Sequence, residues 1–248
     1  HPYFYYIPDR EKDGYGASKK LFKKLILKKP KLVIMVDCGS TSIEAIEFLN
    51  ENNIKSIVID HHEINQPYPK ANIIINPKKD NGYIEYDYLC ATSLSYFFLE
   101  MLAKKIKCKI DLRKYLIYVL LATVCDVMPI RKFNRLIAIK ALKEFDINKN
   151  YVIRELYKLT NKNNKINIDD LGFFIGPILN SGGRLGKSNY ATELLSEENQ
   201  KIINQRSNDL ITLNNKRKEI ESATLNNIDF DKIKKENKNI IIYYDSNI

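Results

Sequence analysis

Two apolar stretches of the sequence each end in an aspartate, and two histidines follow the second one. Asp37 closes the run KLVIMVD, and Asp60 closes SIVID directly before His61 and His62. Continuous apolar runs of this kind are typical of strands buried on both faces of a parallel sheet. Because ligands of open parallel sheets bind at the carboxyl ends of the strands, we expect these polar side chains to meet at one rim.

A third aspartate, Asp126, follows an apolar helical stretch in LLATVCDVMPI, which Pro129 brings to an end. A charge at the end of a hydrophobic helix is costly unless it is solvated, paired or bound to a metal. Asp37, His61 and Asp126 together form a set of two carboxylates and one imidazole. Such a set suits Mn²⁺ or Mg²⁺ better than structural zinc, which prefers sulfur and nitrogen. The alternative for Asp126 alone is a helix-terminal aspartate that faces water.

The same residues are suited to catalysing attack on a phosphoryl group. Two neighbouring ions can activate a water and neutralise charge during an in-line displacement. We expect His62 to contact the phosphate and Asp60 to orient His61 through its second ring nitrogen. The chain has only three histidines, so an adjacent pair at a strand end favours a functional site over two structural histidines.

A glycine-rich segment and one loop arginine supply candidate phosphate contacts. The segment NSGGRLG spans 180–186, where the glycines permit close backbone approach and Asn180, Ser181 and Arg184 offer hydrogen-bond donors. Arg10 lies in a turn-rich loop near the predicted rim. The structural alternatives are a tight connection between two helices for the segment and a solvated side chain for Arg10.

The alternation of elements predicts an α/β fold, in which a parallel sheet is followed by a helical part and a long connecting helix. Thr41 with Glu44 predicts a capping box at the start of one helix. The predicted strands are Tyr3 to Ile7, Lys31 to Asp37, Ser56 to Asp60 and Ala71 to Asn76. The predicted helices are Ala17 to Lys28, Thr41 to about Asn53, Leu89 to Ile106, Asp111 to Val124, Asn134 to Phe145 and about Glu197 to Asn227.

The composition excludes several classes of protein. The four cysteines lie far apart without a CxxC pair, which argues against a disulfide framework or a zinc knuckle and fits a reducing compartment. No apolar run reaches transmembrane length and there is no signal peptide, so we expect a cytoplasmic protein without a membrane partner. The net charge of +10 suits a polyanionic partner, although the abundance of Lys, Asn and Ile also fits AT-rich coding sequence.

Several motifs follow one another in an order that resembles a known family. The succession VDCGSTS, VIDHH, ATVCDVMPI with Asn134 and Arg135 behind it, and NSGGRLG resembles the DHH phosphoesterases. The opening YIPDREKDGYG and the closing NIIIYYDSNI make the chain similar to RecJ-type exonucleases in particular. The resemblance implies a hydrolase of recombination and repair that degrades single-stranded DNA from its 5′ end with Mn²⁺ or Mg²⁺. It also implies a helicase or a single-strand-binding protein as partner.

The resemblance assigns roles to residues of this sequence that match the family motifs. Asp37, His61 and Asp126 match metal ligands, and His62 matches a residue beside the scissile phosphate. Asn180 and Arg184 match a loop near the substrate, and Arg10 falls in a family loop near the DNA. These roles agree with those inferred from residue types and positions.

The resemblance also divides the chain. It implies a DHH phosphoesterase domain over 1–190 that lacks its N-terminal strand and DxDG motif, a connecting helix over 191–237 and the start of a DHHA1 domain over 238–248. Without the DxDG carboxylates, we expect weak metal binding and little or no activity for this segment alone. A DHH oligoribonuclease or cyclic-dinucleotide phosphodiesterase would share the metal residues, and a non-catalytic nucleic-acid binding module is the alternative of another class.

Overall fold

The computed structural model describes residues 2–9, 12–14, 16–184 and 187–228 of the chain. These residues form an α/β structure in which a small sheet is followed by a larger helical part. The strands are β1 (Leu32–Val36), β2 (Lys55–Ile59) and β3 (Ile73–Ile75). The α-helices are α1 (Lys19–Leu25), α2 (Ile43–Glu51), α3 (Ala91–Lys105), α4 (Leu116–Cys125), α5 (Lys132–Glu144), α6 (Tyr151–Leu159), α7 (Gly176–Arg184), α8 (Tyr190–Leu195) and α9 (Gln200–Asn227).

The three strands pair in parallel in the order β1-β2-β3, and their register aligns their carboxyl ends. Val36 of β1 lies beside Ile59 of β2, which lies beside Ile75 of β3. The backbone pairing continues one residue further, because the amide of Asp37 donates to Ile59 O at 2.9 Å and the amide of Asp60 donates to Ile75 O at 3.0 Å. The residues that follow the strands therefore stand in one row at the rim of the sheet.

Helices pack on both faces of the sheet around β2, but Leu32, Ile34 and Val36 of β1 are 45% to 49% exposed. The prediction of a strand buried on both faces was therefore wrong for the first apolar run, because β1 is an edge strand of the described sheet. On one face, α1 and α2 pack Phe22, Ile46 and Leu49 against Met35 and Val58. On the other face, Ile59 packs in a cluster with Tyr88, Leu89 and Leu94, the last of which belongs to α3. The two layers hold the strands rigidly, which fixes the positions of the residues at their ends.

The helical part has its own core around α4, which is buried on nearly all sides. Leu116, Ile117, Val119, Leu120 and Leu121 of this helix all belong to the core. A helix that is apolar all round is stable only when other elements surround it, and here α5, a π-helical segment (Asp170–Ile175) and α3 pack against α4. Burial of α4 directs its carboxyl end, and hence Asp126, to a fixed place.

Three further local predictions were wrong. Tyr3 to Ile7 is not a strand, because none of the described strands pairs with it, and a strand is stable only with ladder partners. The N-cap of α2 is Ser42 without a side-chain bond, so Thr41 and Glu44 form no capping box. Residues 180–184 are helical and belong to α7 rather than to a glycine-rich turn, since the helix packs on α9.

Within the described ranges, no helix combines the length and the apolarity needed to span a bilayer.

Candidate metal centre

Three predicted metal ligands meet at the rim of the sheet. The Nε2 atom of His61 lies 3.3 Å from Oδ1 of Asp37 and 3.7 Å from Oδ2 of Asp126. Asp37 and His61 follow the neighbouring strands β1 and β2, whereas Asp126 lies at the carboxyl end of α4. Residues far apart in the sequence are thus brought together by the strand register and by the burial of α4.

The spacing of the Asp37 and His61 atoms fits a single divalent ion, and Asp126 approaches the same imidazole without joining the group of ligand atoms that all lie within 4.8 Å of one another. Two ligands at about 2.1 Å from an octahedral ion and at right angles to each other are about 3 Å apart. The separations of 3.3 Å and 3.7 Å from His61 to the two carboxylates are close to that value. Ligand atoms of Asp37, His61 and His62 also lie within 4.8 Å of one another. The donor set of carboxylates with imidazole is the one that Mn²⁺ accepts readily.

A left-handed turn points Asp37 into the site. Its φ of 62° ends β1 abruptly, and aspartate tolerates this region better than most residues do. Gly39 follows with φ of 112°, and a Cβ there would lie 3.1 Å from both methyl carbons of Val58. Glycine is therefore required at this position, both for the backbone conformation and for close packing of the turn on β2.

Burial and neighbouring charges shift the pKa values of two residues of the site. A hydrogen bond from the His61 ring to Asp37 raises the pKa of His61, although burial acts in the other direction. Burial and, next, the nearby charge of Asp37 raise the pKa of Asp126. A half-buried carboxylate beside a second carboxylate is an arrangement that a cation stabilises.

Asp60 contacts His62, not the side chain of His61 as the sequence predicted. Its Oδ1 atom lies 2.7 Å from Nδ1 of His62 and also accepts the backbone amide of His61 at 2.8 Å. The amide of Ser40 donates to Oδ2 at 3.1 Å. Burial opposes ionisation of Asp60, but the hydrogen bonds from His62 and Ser40 outweigh it, so the pKa of Asp60 lies below its usual value. The prediction failed because the sharp turn after β2 directs the ring of His62, not that of His61, back to the carboxylate.

Ser40 and Asn76 are parts of the site that the sequence reasoning missed. The Nδ2 atom of Asn76 donates to Oγ of Ser40 at 2.8 Å and to the carbonyl of His62 at 2.9 Å. Both residues are buried. Asn76 follows β3 as Asp37 and Asp60 follow β1 and β2, so the strand-end argument applied to all three strands would have found it.

Asn134 fixes the chain that follows Asp126. Its buried Nδ2 atom donates to the carbonyl of Pro129 at 3.0 Å and to the carbonyl of Tyr88 at 2.6 Å. The loop after α4 is thereby tied to the segment that precedes α3. This tie explains in structural terms why an asparagine stands eight residues after Asp126 in the motif.

The predicted substrate residues have different outcomes. Arg10 and the side chain of Arg184 lie outside the described residues, and Asn180 is exposed on α7. Ser181 requires a correction, because its side chain is fully buried and its hydroxyl donates to the carbonyls of Ile178 at 2.6 Å and Leu210 at 3.1 Å. A hydroxyl in this position joins α7 to α9 and cannot reach a phosphate.

Comparison with known proteins identifies the family. Residues 1–124, half of the 248-residue chain, match the N-terminal domain of the DHH family. The chain belongs to the DHH family. The family match covers β1 to β3, α3 and most of α4, and therefore includes Asp37, Asp60, His61 and His62.

The relatives of this DHH chain include several RecJ proteins, which confirms the resemblance seen in the motifs. The chain is 30% identical over 229 residues to the single-stranded-DNA-specific exonuclease RecJ of Haemophilus influenzae. It is 29% identical over 231 residues to the protein of the same name from Escherichia coli. Each alignment covers 88% of this chain and 40% of the relative. The chain thus spans less than half the length of these curated relatives.

Solved structures confirm the α/β fold. The crystal structure of exonuclease RecJ bound to manganese superposes with a TM-score of 0.80 at 24% identity, covering 90% of this chain and 56% of that one. RecJ from Thermus thermophilus, in complex with Mn²⁺, gives a TM-score of 0.75 at 22% identity, covering 85% of this chain and 31% of that one.

Proposed function

We propose that this chain forms the metal-binding part of an enzyme that hydrolyses phosphodiester bonds of single-stranded DNA from the 5′ end. The observation that carries the proposal is the convergence of Asp37, His61 and Asp126, with His61 Nε2 at 3.3 Å and 3.7 Å from the two carboxylates. Membership of the DHH family and the names of the RecJ relatives support the same reaction.

In this proposal Asp37, His61 and Asp126 hold Mn²⁺ or Mg²⁺. The bound cation supplies Lewis acidity, which lowers the pKa of a water and neutralises charge on the phosphoryl group. A water adds to phosphorus, the bond from phosphorus to one sugar oxygen breaks, and that oxygen takes up a proton. The carboxylates keep the site negative enough to hold the cation beside a phosphodiester.

His62 is placed to act on the phosphate itself. Because Asp60 accepts the proton on Nδ1, the Nε2 atom points away from Asp60, and the His62 side chain is 47% exposed. In the imidazolium form, which carries a second proton on Nε2, that atom can donate a hydrogen bond to a phosphate oxygen or pass its proton to the leaving oxygen, and the ring returns to the neutral form with its proton on Nδ1. Asp60 is a positioning residue in this scheme, because it fixes the ring of His62 without touching the substrate.

Single-stranded DNA is the proposed substrate because the chain carries a net charge of +10 and its RecJ relatives are named for that specificity. Lys and Arg side chains replace counterions along a polyanion, so binding is expected to weaken as the salt concentration rises. Asn180, Arg184 and Arg10 remain proposed substrate contacts. The 5′-to-3′ direction rests on the resemblance of the motifs.

The test is a nuclease assay on the whole encoded protein, with this 248-residue chain beside it. Substrates are a single-stranded oligonucleotide labelled at either end, its duplex, a ribo-oligonucleotide and dinucleotides, each with Mn²⁺, Mg²⁺ or EDTA. We expect metal-dependent release of labelled mononucleotide from the 5′ end of the single strand. Asp37→Asn should abolish it, whereas Asp146→Asn, at an exposed position outside the site, should not.

Two other outcomes would assign the site differently. Faster turnover of dinucleotides than of long single strands would make the protein an oligonucleotide or cyclic-dinucleotide phosphodiesterase. Equal DNA binding with and without Mn²⁺, together with no cleavage of any substrate, would make it a non-catalytic binding module. Either result would overturn the proposed exonuclease activity.

A further inference from the structure

The last turn of α4, which ends in Cys125 directly before Asp126, packs against a segment whose backbone comes close to it. The neighbouring segment is the π-helix Asp170–Ile175 and the first residue of α7. The thiol of Cys125 points to the carbonyl of Leu171, with the sulfur 3.9 Å from that oxygen. π-Helical turns are rare in proteins and frequent at functional sites, and this one lies beside a residue that directly precedes a proposed metal ligand.

Two glycines make the close approach possible. A Cβ built on Gly176 would lie 2.4 Å from Sγ of Cys125 and 3.0 Å from the carbonyl oxygen of Leu171. A Cβ on Gly172 would lie 2.9 Å from Cγ1 of Val124. Ordinary carbon contacts are about 3.5 to 4.0 Å, so a methyl group at Gly176 would require a shift of about 1 Å. Gly172 would require a smaller one.

The side chains that these glycines contact immediately precede a proposed metal ligand. Asp126 stays within the helical hydrogen bonding, because its amide donates to Ala122 O at 2.9 Å. The chain then reverses, with the amide of Met128 donating to Thr123 O at 3.0 Å. Asp126 is therefore attached by hydrogen bonds to the last turn of α4, so that, although Cys125 is exposed, a displacement of this turn by a methyl group at Gly176 would move Asp126 with it. Metal–ligand distances in proteins lie within about 0.2 Å of their ordinary values, so a displaced carboxylate binds the ion less well.

We infer that Gly176, and to a lesser degree Gly172, are positioning residues for Asp126, because their lack of a side chain sets how far the Asp126 carboxylate stands from His61. The inference rests on the proposed metal site and adds two residues to it that touch neither cation nor substrate. It explains why glycines stand at these two positions, four residues apart, on the face turned toward α4.

The decisive experiment measures Mn²⁺ affinity directly, by following the electron paramagnetic resonance signal of free Mn²⁺ during titration of the whole encoded protein used in the nuclease assay. We expect Gly176→Ala to weaken Mn²⁺ binding by about 10- to 100-fold, as loss of a supporting residue around metal ligands does, and Gly172→Ala to weaken it less. Gly82→Ala is the matched control, because Gly82 is exposed and a Cβ there would meet only one atom, at 3.9 Å. Its affinity should equal that of the parent.

A second substitution separates positioning from a general loss of structure. Cys125→Ala removes the sulfur that the new methyl group would strike and leaves Cβ of residue 125 at 3.9 Å from it. The Gly176→Ala, Cys125→Ala double variant should therefore recover much of the affinity, whereas Cys125→Ala alone should bind Mn²⁺ as the parent does. If Gly176→Ala does not fold, Gly172→Ala with and without Val124→Ala provides the same comparison.

The possible failures are distinguishable. Unchanged affinity of folded Gly176→Ala and Gly172→Ala would overturn the inference and leave the proposed metal site intact. Weaker binding that the second substitution does not restore would also overturn it, because the contact with α4 would not be the cause. If the whole encoded protein binds no Mn²⁺, the proposed function is overturned, and the inference with it.

Discussion

Asp60 and His62, two residues apart after the end of β2, form a partly buried carboxylate–imidazole contact of 2.7 Å between Oδ1 and Nδ1. Only 2% of the Asp60 side chain is exposed, whereas 47% of the His62 side chain is exposed. The pair therefore joins a fixed buried charge to a ring that faces the site. The two adjacent histidines therefore have different roles, because His61 faces the carboxylates of the metal site and His62 is hydrogen-bonded to Asp60.

Asp60→Asn should lower kcat by about 10- to 100-fold while leaving KM nearly unchanged. One asparagine oxygen cannot accept all the bonds that the carboxylate receives from His62, the amide of His61 and the amide of Ser40. The ring of His62 would lose its fixed orientation, but the ligand atoms of His61 would stay near Asp37. Steady-state kinetics with a Mn²⁺ titration checks this, and equal losses of Mn²⁺ affinity and of kcat would contradict it.

Asn76→Ala should reduce the free energy of unfolding by about 1 to 3 kcal/mol, because the hydroxyl of Ser40 and the carbonyl of His62 would lose a buried donor. It should also lower kcat, since the turn that carries His62 would no longer be tied to β3. Asn50→Ala is the control, because Asn50 is exposed and its side-chain amide donates, among the described residues, to the carbonyl of Lys70. Urea denaturation of both variants measures the difference, and an equal loss in the two would refute the argument.

Much of the site could be predicted from the sequence, and the part that could not depends on local turns and on packing between distant segments. The apolar runs before Asp37 and Asp60 identify strand ends, and a parallel register necessarily aligns those ends. The partner of Asp60 depends on the turn after β2, which residue types do not determine. Ser181 looks like a phosphate donor in a glycine-rich string, but the contact of α7 with α9 buries it.

Asp13 should contribute stability that is lost in acid. Hydrogen bonds from Tyr6 and Lys24 lower its pKa to about 2 from the ordinary value of 3.8. A carboxylate with a lowered folded-state pKa stabilises the fold above its unfolded pKa, and this contribution disappears as the pH falls through the folded one. The stability of the parent should therefore fall between about pH 4 and pH 2, and Asp13→Asn should flatten this decline.

Asp111 provides the control for Asp13. Its pKa is also lowered to about 2, by Arg113, but its side chain is 58% exposed, whereas that of Asp13 is 2% exposed. Solvent screens an exposed ion pair, so Asp111→Asn should change the loss of stability at low pH less than Asp13→Asn does. Denaturant titrations at several pH values measure both, and an equal or larger effect at Asp111 would rule out the assignment to Asp13.

Val127→Gly should make the protein more stable by up to about 1 kcal/mol. Val127 has φ of 54° and is 87% exposed, and a β-branched residue in the left-handed region carries strain of about 1 to 2 kcal/mol. Glycine removes the strain but increases the entropy of the unfolded chain, which offsets part of the gain. Lys107 is the matched comparison, because it also has φ of 54° and is exposed. It follows a helix that ends with the same hydrogen bond: Cys108 N donates to Ala103 O, as Met128 N donates to Thr123 O. Since lysine is unbranched at Cβ, Lys107→Gly should stabilise less, and a gain equal to that of Val127→Gly would show that branching is not the source of the strain.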